Sequence, residues 1–196
     1  SEVVSSGCDA IVAQVAGLKQ LVDSFREYAR MPSVDPRPAS VNRILREVGP
    51  LYDGVREGLV IHIDLPDHEL TGLVDPILLN QALVNLLDNS VAAIEGPGTI
   101  TVSAYAEHQD IVIVVADTGI GLPTEDSEML LQPFFSTKGR GSGIGLAVVH
   151  RIITEHGGSL RITNREGGGA EITIILTGAL IHDDTHSVSV VNETRA

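Results

Sequence analysis

Apolar residues recur at Val4, Cys8, Ile11, Val15, Leu18, Val22, Phe25 and Ala29, in alternating steps of four and three. That heptad seam predicts one long helix over about residues 1–30, packed in a helix bundle or coiled coil, or folded back on its own domain. A lone helix of this length is marginal in water and needs a partner surface. Pro32, Pro36 and Pro38 end the pattern and predict a stiff, extended connector. Ser40 can cap a second helix, expected to run to about Glu57, and Leu59–Leu65 reads as a strand. Asp75 and Pro76 supply a cap and a first-turn proline for a third helix reaching about Ile94, closed by Gly96-Pro97-Gly98. Two strands, Thr99–Glu107 and Asp110–Ala116, lie close enough to form a hairpin. Residues 117–143 are rich in Gly, Pro, Ser and Thr, with a short helix expected near Glu125–Leu131. Ile144–His156 returns to helical spacing and stops at Gly157-Gly158. Leu160–Thr163 and Glu171–Leu176 read as the last strands, and the residues after Leu180 turn polar, as a tail or linker does.

Composition narrows the class. The 196 residues are 43% hydrophobic and 20% charged, which fits a globular chain. No apolar run approaches the roughly 18–20 residues that cross a bilayer. Only 3% of residues are aromatic and none is Trp, so the core must be aliphatic. Thirteen basic against 26 acidic residues leave a formal charge of −13, which disfavours nucleic acid and anionic membrane surfaces as partners. An anionic ligand therefore needs local groups that overcome the field. The single Cys8 excludes an internal disulfide and a cysteine zinc cage, and suits a reducing cytosol. Ser1 stands where an initiator Met is absent and no signal-peptide pattern follows. The expectation is a cytoplasmic piece of a longer protein, any membrane anchor lying in segments not present here.

Three local features carry chemistry. Gln81, Asn85 and Asn89 fall at i, i+4 and i+8, so three amides share roughly one helix face, with Leu79, Leu83, Leu86 and Leu87 on the other. Amide oxygens are neutral donors suited to a magnesium ion that already carries phosphate oxygens; a plain solvated face is the bland alternative. Asp117-Thr-Gly-Ile-Gly121 follows the apolar run Ile111–Val115. A carboxylate leaving a buried strand can accept from the exocyclic amine of adenine, while the glycines allow close backbone approach. Asp-Thr-Gly is also a common turn, and an aspartic protease would need a second aspartate motif. Gly141-Ser-Gly-Ile-Gly145-Leu146 leads straight into a helix, where backbone N–H groups attract anions. It is neither a Walker loop nor a dinucleotide fingerprint. Just before it, Lys138 and Arg140 can meet a terminal phosphate, and the flanking small residues suit a movable lid or a surface loop.

In order and spacing these segments resemble the ATP-binding catalytic domain of sensor histidine kinases, within the superfamily that includes gyrase, the Hsp90 chaperones and mismatch-repair ATPases. The likeness covers about residues 40–177. It rests on an asparagine box, Asn80-Gln-Ala-Leu-Val-Asn85-Leu-Leu-Asp-Asn89-Ser-Val; a first glycine box, Asp117-Thr-Gly-Ile-Gly-Leu-Pro123; a phenylalanine box, Gln132-Pro-Phe-Phe-Ser-Thr-Lys138; and a second glycine box, Gly141-Ser-Gly-Ile-Gly-Leu146. The resemblance implies an α+β fold, a two-layer α/β sandwich of the Bergerat type, preceded here by the heptad-patterned helix. It implies ATP with Mg²⁺, the metal held by Asn89 with Asn85 beside it, adenine read by Asp117, and Lys138 facing the phosphates. The wider ATP-binding set carried over is Asn85, Asn89, Asp117, Gly119, Gly121, Phe135, Thr137, Lys138, Gly141, Ser142, Gly143, Ile144, Gly145 and Leu146.

Residues 1–31, ending Asp23-Ser-Phe-Arg-Glu-Tyr-Ala-Arg-Met-Pro32, resemble the second helix of the dimerisation and phosphotransfer hairpin of nitrogen-regulation-type sensor kinases. The expected organisation is that partial hairpin, a linker over 32–39, the catalytic domain over 40–180 and a tail over 181–196. The implied partners are a second copy, through the N-terminal helix, and a response-regulator receiver domain. The acceptor histidine of such proteins sits in a His-Glu-hydrophobic-Lys/Arg-Asn-Pro context. None of His62, His68, His108, His150, His156, His182 or His186 has it, so the acceptor is expected upstream of this chain.

Three positions depart from the pattern. Ala92 replaces a basic residue, Gly169-Ala170-Glu171-Ile172 replaces Gly-Thr-x-Phe and loses a hydroxyl near adenine, and Ser90 replaces Ala. Other readings are an ATP hydrolase or clamp, a serine kinase of the anti-sigma type, and a non-catalytic dimerisation module. The hydrolases place a glutamate one turn before the metal asparagine as base for water. Here that position is Asn85, whose amide cannot take the proton. An anti-sigma-type kinase lacks the dimerising helix, and a pure dimerisation module leaves all four boxes without purpose.

Overall fold

The computed structural model describes residues 33–124, 126–135 and 143–181, together with Val12, Val15, Gly17, Lys19, Val22 and Arg26, each in helical conformation. The remainder of the heptad seam, the polar tail after Ile181, and Thr137, Lys138, Arg140, Gly141 and Ser142 lie outside the described residues. Val15 and Val22, two seam positions, are exposed.

The elements are β1 (Arg37–Ser40), α1 (Val41–Val48), a 3-10 turn (Gly49–Tyr52), β2 (Leu59–Asp64), β3 (Thr71–Val74), α2 (Pro76–Ala93), β4 (Gly98–Glu107), β5 (Asp110–Asp117), the short α3 (Ser127–Leu130), α4 (Gly145–Glu155), β6 (Ser159–Asn164) and β7 (Ala170–Leu176). Five strands form one sheet in the order β2-β4-β5-β7-β6. β2 runs parallel to β4, with Ile61 opposite Ile100, and every other pair is antiparallel. Along β2, Leu59, Ile61 and Ile63 turn inward while Val60, His62 and Asp64 face out, the alternation of a sheet covered on one side. The core joins Ile100, Val102, Ile113, Ile174 and Leu176 of the sheet to Leu79, Leu83, Leu86 and Leu87 of α2 and Val149, Ile152 and Ile153 of α4. This is the two-layer α/β architecture expected, with the aliphatic core that so few aromatics require. Among the described residues no helix is long and apolar enough to cross a membrane.

Two expectations change. The helix from Ser40 stops at Val48, because Pro50 has no N–H to continue the ladder and the chain tightens into a 3-10 turn. Within the segment read as connector, Arg37–Ser40 pairs antiparallel with Thr71–Val74, a second small sheet missed in the sequence. Its other side is met by the chain after β7, where Leu180 bridges Gly72 and Ile181 N–H donates to the Thr71 carbonyl.

Both expected caps are present. Ser40 Oγ accepts from Arg43 N–H at 2.9 Å and donates to Glu69. Asp75 Oδ1 accepts from Ile77 and Leu78 N–H at 3.0 and 3.1 Å, and Oδ2 from Asp35 N–H at 3.1 Å. His156, at the C-terminal end of α4, joins this corner. Its Nε2 accepts from Asp75 N–H at 3.0 Å while Nδ1 lies 2.7 Å from the Ile152 carbonyl. Partial burial alone raises the Asp75 pKa, but the N–H groups of Asp35, Leu78 and Ile77 and the potential of His156 outweigh it and hold it below the ordinary value. Asp75→Ala is expected to cost about 1 kcal/mol in denaturant unfolding at neutral pH. A depressed folded-state pKa gives stability that is present above the unfolded value and lost as pH falls through the folded one. The gap between the two proteins should therefore narrow below the unperturbed 3.8. A gap that stays constant from neutral pH into acid would sink this account of the cap.

Candidate functional site

Asp117 is the last residue of β5 and is buried at 4% exposure. A carboxylate in such a place needs donors, and three meet it. Gly119 N–H and Ala170 N–H donate to Oδ1 at 2.8 and 3.2 Å, and Ser90 Oγ donates to Oδ2 at 3.3 Å. The Asp117 carbonyl accepts from the Arg165 guanidinium at 2.9 Å. The carboxylate thus ties together β5, the start of β7 and the last turns of α2.

The turn after Asp117 is pressed against the end of α2. Ile120 N–H donates to the Ala93 carbonyl at 3.0 Å, and a Cβ on Gly119 would stand 2.6 Å from that same oxygen. Only glycine fits there. Gly169 is under a tighter constraint. It has φ +89°, and a Cβ would lie 1.9 Å from the Asp117 carbonyl oxygen, so the glycine before β7 is required for the strand to close on the carboxylate. Gly121 follows, beside Asn164, whose Oδ1 accepts from Leu122 N–H at 2.7 Å.

The amide face of α2 is as expected: the four leucines are buried, Gln81 and Asn85 are half-buried and Asn89 is exposed. Asn85 Nδ2 donates to the Gln81 carbonyl at 2.9 Å, which directs Oδ1 away from its own backbone. The position of a Cβ on Gly145 lies 3.1 Å from Asn85 Oδ1 and 3.7 Å from both amide atoms of Asn89. Gly145 is the first residue of α4. The two asparagines thus stand against the N-terminal end of a helix, where unpaired backbone N–H groups favour anions. That donor set fits a hard cation shared with phosphate oxygens, since it offers neutral oxygens next to an anion-attracting helix end.

The phenylalanine box meets the second glycine box directly. Phe134 N–H donates to the Gly143 carbonyl at 2.9 Å, and Phe134 has φ +70°. Phe135 packs in part against the core, as does Leu146, and Ile144 is buried. Of the residues marked in the sequence, Asn85, Asn89, Gly143, Ile144, Gly145 and Leu146 gather at the α2–α4 junction. Asp117, Gly119 and Gly121 gather at the β5–α2–β7 junction, further along α2. Thr137, Lys138, Gly141 and Ser142 lie outside the described residues.

Sequence reasoning missed several supports. Arg56 donates to the Val91 and Ile94 carbonyls and closes the C-terminal end of α2. Tyr52 Oη bonds Asp88 Oδ1 at 2.8 Å and the Val84 carbonyl at 3.1 Å. Its pKa is pushed well above the ordinary phenol value, first by burial and then by the Asp88 carboxylate. Ser90 carried the one available signal, a hydroxyl at a core-facing position three and four residues after Leu87 and Leu86.

Comparison with known proteins identifies the family. The family described as histidine kinase-, DNA gyrase B- and HSP90-like ATPases matches residues 74–179. The chain belongs to that family. Nitrogen regulation protein NtrY of Azorhizobium caulinodans is 35% identical over 183 residues, covering 89% of this chain and 24% of the relative. Full-length ShkA, solved in complex with AMPPNP, superposes with a TM-score of 0.75 at 26% identity, covering 91% of this chain and 39% of that one. Histidine kinase ThkA in complex with the response regulator TrrA gives 0.68 at 25% identity, covering 86% of this chain and 49% of that one. The chain spans about a quarter of the length of NtrY.

Proposed function

We propose that this chain is the ATP-binding catalytic part of a two-component sensor histidine kinase, which transfers the γ-phosphoryl group of Mg·ATP to a histidine on a helix upstream of it. The observation that carries this reading is the approach of the Asn85 and Asn89 amides to the first turn of α4, together with a buried carboxylate at Asp117 held by backbone donors. Adenine lies at Asp117, which accepts its 6-amine, with Gly119 and Gly121 beside the base. The phosphates lie at Gly143–Leu146, where α4 begins, with Phe135 at the base of the loop and Thr137, Lys138, Gly141 and Ser142 supplied by it. Asn89, with Asn85 beside it, would hold Mg²⁺, and the ion would supply positive charge to the phosphates. Catalysis in such a site is positioning and charge stabilisation rather than proton removal by the domain itself.

Residue 85 separates transfer from hydrolysis. A water-activating ATPase needs a proton acceptor there, and an amide whose Nδ2 is already bonded to Gln81 cannot serve. Residues 1–31 form part of the dimerising hairpin and 40–180 the catalytic domain, with 181–196 as the tail, and the linker over 32–39 ends in Arg37–Ala39, which pair with β3 of that domain. Exposure of the helical seam residues Val15 and Val22 supports a helical partner from a second copy. The ThkA complex supports a receiver domain as the downstream partner. The test is phosphorylation of the upstream hairpin by this chain and Mg·ATP, with acid lability identifying phosphohistidine.

A further inference from the structure

We propose that Ser90 is a positioning residue for base recognition, its hydroxyl holding Asp117 Oδ2 in the orientation that accepts the 6-amine of adenine. This rests on the ATP-binding reading above and adds to it a residue on the other side of the carboxylate. A carboxylate offers about four acceptor sites, two on each oxygen. Both sites of Oδ1 are filled, by Gly119 N–H at 2.8 Å and Ala170 N–H at 3.2 Å. Oδ2 has one described donor, Ser90 Oγ at 3.3 Å. Among the described residues one site is left, and it is on Oδ2. The oxygen that must read the base is therefore the one that Ser90 touches.

The position of Ser90 argues the same way. It is 3% exposed, on the leucine-lined side of α2, where an apolar residue would cost less desolvation. A serine inside a helix ordinarily turns back to the carbonyl one turn earlier. Here it crosses to a carboxylate 27 residues away in sequence. At position 170 the backbone N–H reaches Asp117, but alanine brings no hydroxyl to it. The hydroxyl that accompanies the carboxylate comes instead from α2. Without it Oδ1 stays pinned by two backbone donors, so the fold persists, while Oδ2 loses the group that fixes its free lone pair.

The experiment compares Mg·ATP with the magnesium complex of purine riboside triphosphate, which keeps the triphosphate and carries hydrogen in place of the 6-amine. Affinities are measured by titration calorimetry on the full chain, alongside thermal unfolding. Ser90→Ala is expected to weaken ATP binding about three- to tenfold, the size of one modest hydrogen bond. Binding of the purine riboside triphosphate should stay within about twofold of its original value, because that base offers Oδ2 no N–H donor. Ser90→Thr, which keeps the hydroxyl, should preserve the preference for ATP. Should Ser90→Ala unfold, Ser90→Cys, similar in volume and a weak donor, must show the same selective loss. Equal losses for both nucleotides, or no loss for either, would overturn the proposal while leaving ATP binding intact. Failure of the unmodified chain to bind either nucleotide would overturn both.

Discussion

Asp117→Asn is expected to weaken ATP binding by about a hundredfold while leaving the domain folded. The two effects separate because the carboxylate has two jobs on two oxygens. Oδ1 takes Gly119 and Ala170 N–H, and the carbonyl oxygen of asparagine can take both in its place. The amide nitrogen must then sit where Oδ2 was, against Ser90 Oγ. The serine hydroxyl can rotate to accept from it. The 6-amine of adenine cannot, since a donor would face a donor. Loss of a hydrogen bond to a charged group and an unpaired polar contact act together. Calorimetry that returns an affinity within about twofold of the original, on protein with an unchanged melting temperature, would remove Asp117 from the base site.

Much of the fold was legible because its elements are long and their periods distinct. α2 could be bounded from both ends, by Asp75-Pro76 and by Gly96-Pro97-Gly98, and it runs Pro76–Ala93. β4 alternates, β5 carries a continuous apolar run, and a two-residue gap separates them. β1 and β3 were not legible, since each has four residues and paired residues lie 31 to 37 positions apart. Local pattern carries no information about such pairings. The overrun past Val48 has a different cause. Leu51 and Val55 continue a helical spacing that Pro50 interrupts, and both are exposed, so the period persists where the helix does not.

In the site, single boxes were readable because each is a short run of unusual residues. What could not be read was how they touch. Asp117 is 27 residues from Ser90 and 53 from Ala170, and neither distance leaves a mark in the sequence. Ser90 and Ala170 looked like separate departures from the family pattern. The structure puts them on opposite oxygens of one carboxylate. The brace between His156 and Asp75 was equally silent, because it joins the C-terminal end of α4 to the N-cap of α2 through a backbone N–H.

This chain with labelled Mg·ATP is expected to acquire no stable phosphohistidine, and to label the histidine of an upstream hairpin fragment when that fragment is added. His156 is ruled out as acceptor by its ring contacts, with Nδ1 against the Ile152 carbonyl and Nε2 against Asp75 N–H. His62 and His150 are exposed, on β2 and α4, but lie outside the sequence context of an acceptor. Asn89→Ala should suppress labelling of the added hairpin by at least about a hundredfold, because transfer depends on holding the terminal phosphate in line and neutralising its charge. The side chain is exposed, so the substitution should leave the melting temperature unchanged. The labelled product should be lost in acid and kept in base, as a phosphorus–nitrogen bond requires. Phosphate release faster than transfer, and indifferent to the hairpin, would mean that water is the acceptor despite Asn85 and would favour an ATPase. An acid-stable phosphoserine on a supplied partner would favour a serine kinase on the same fold. The hairpin separates transfer from hydrolysis, because it changes only the acceptor and leaves the nucleotide site as it is.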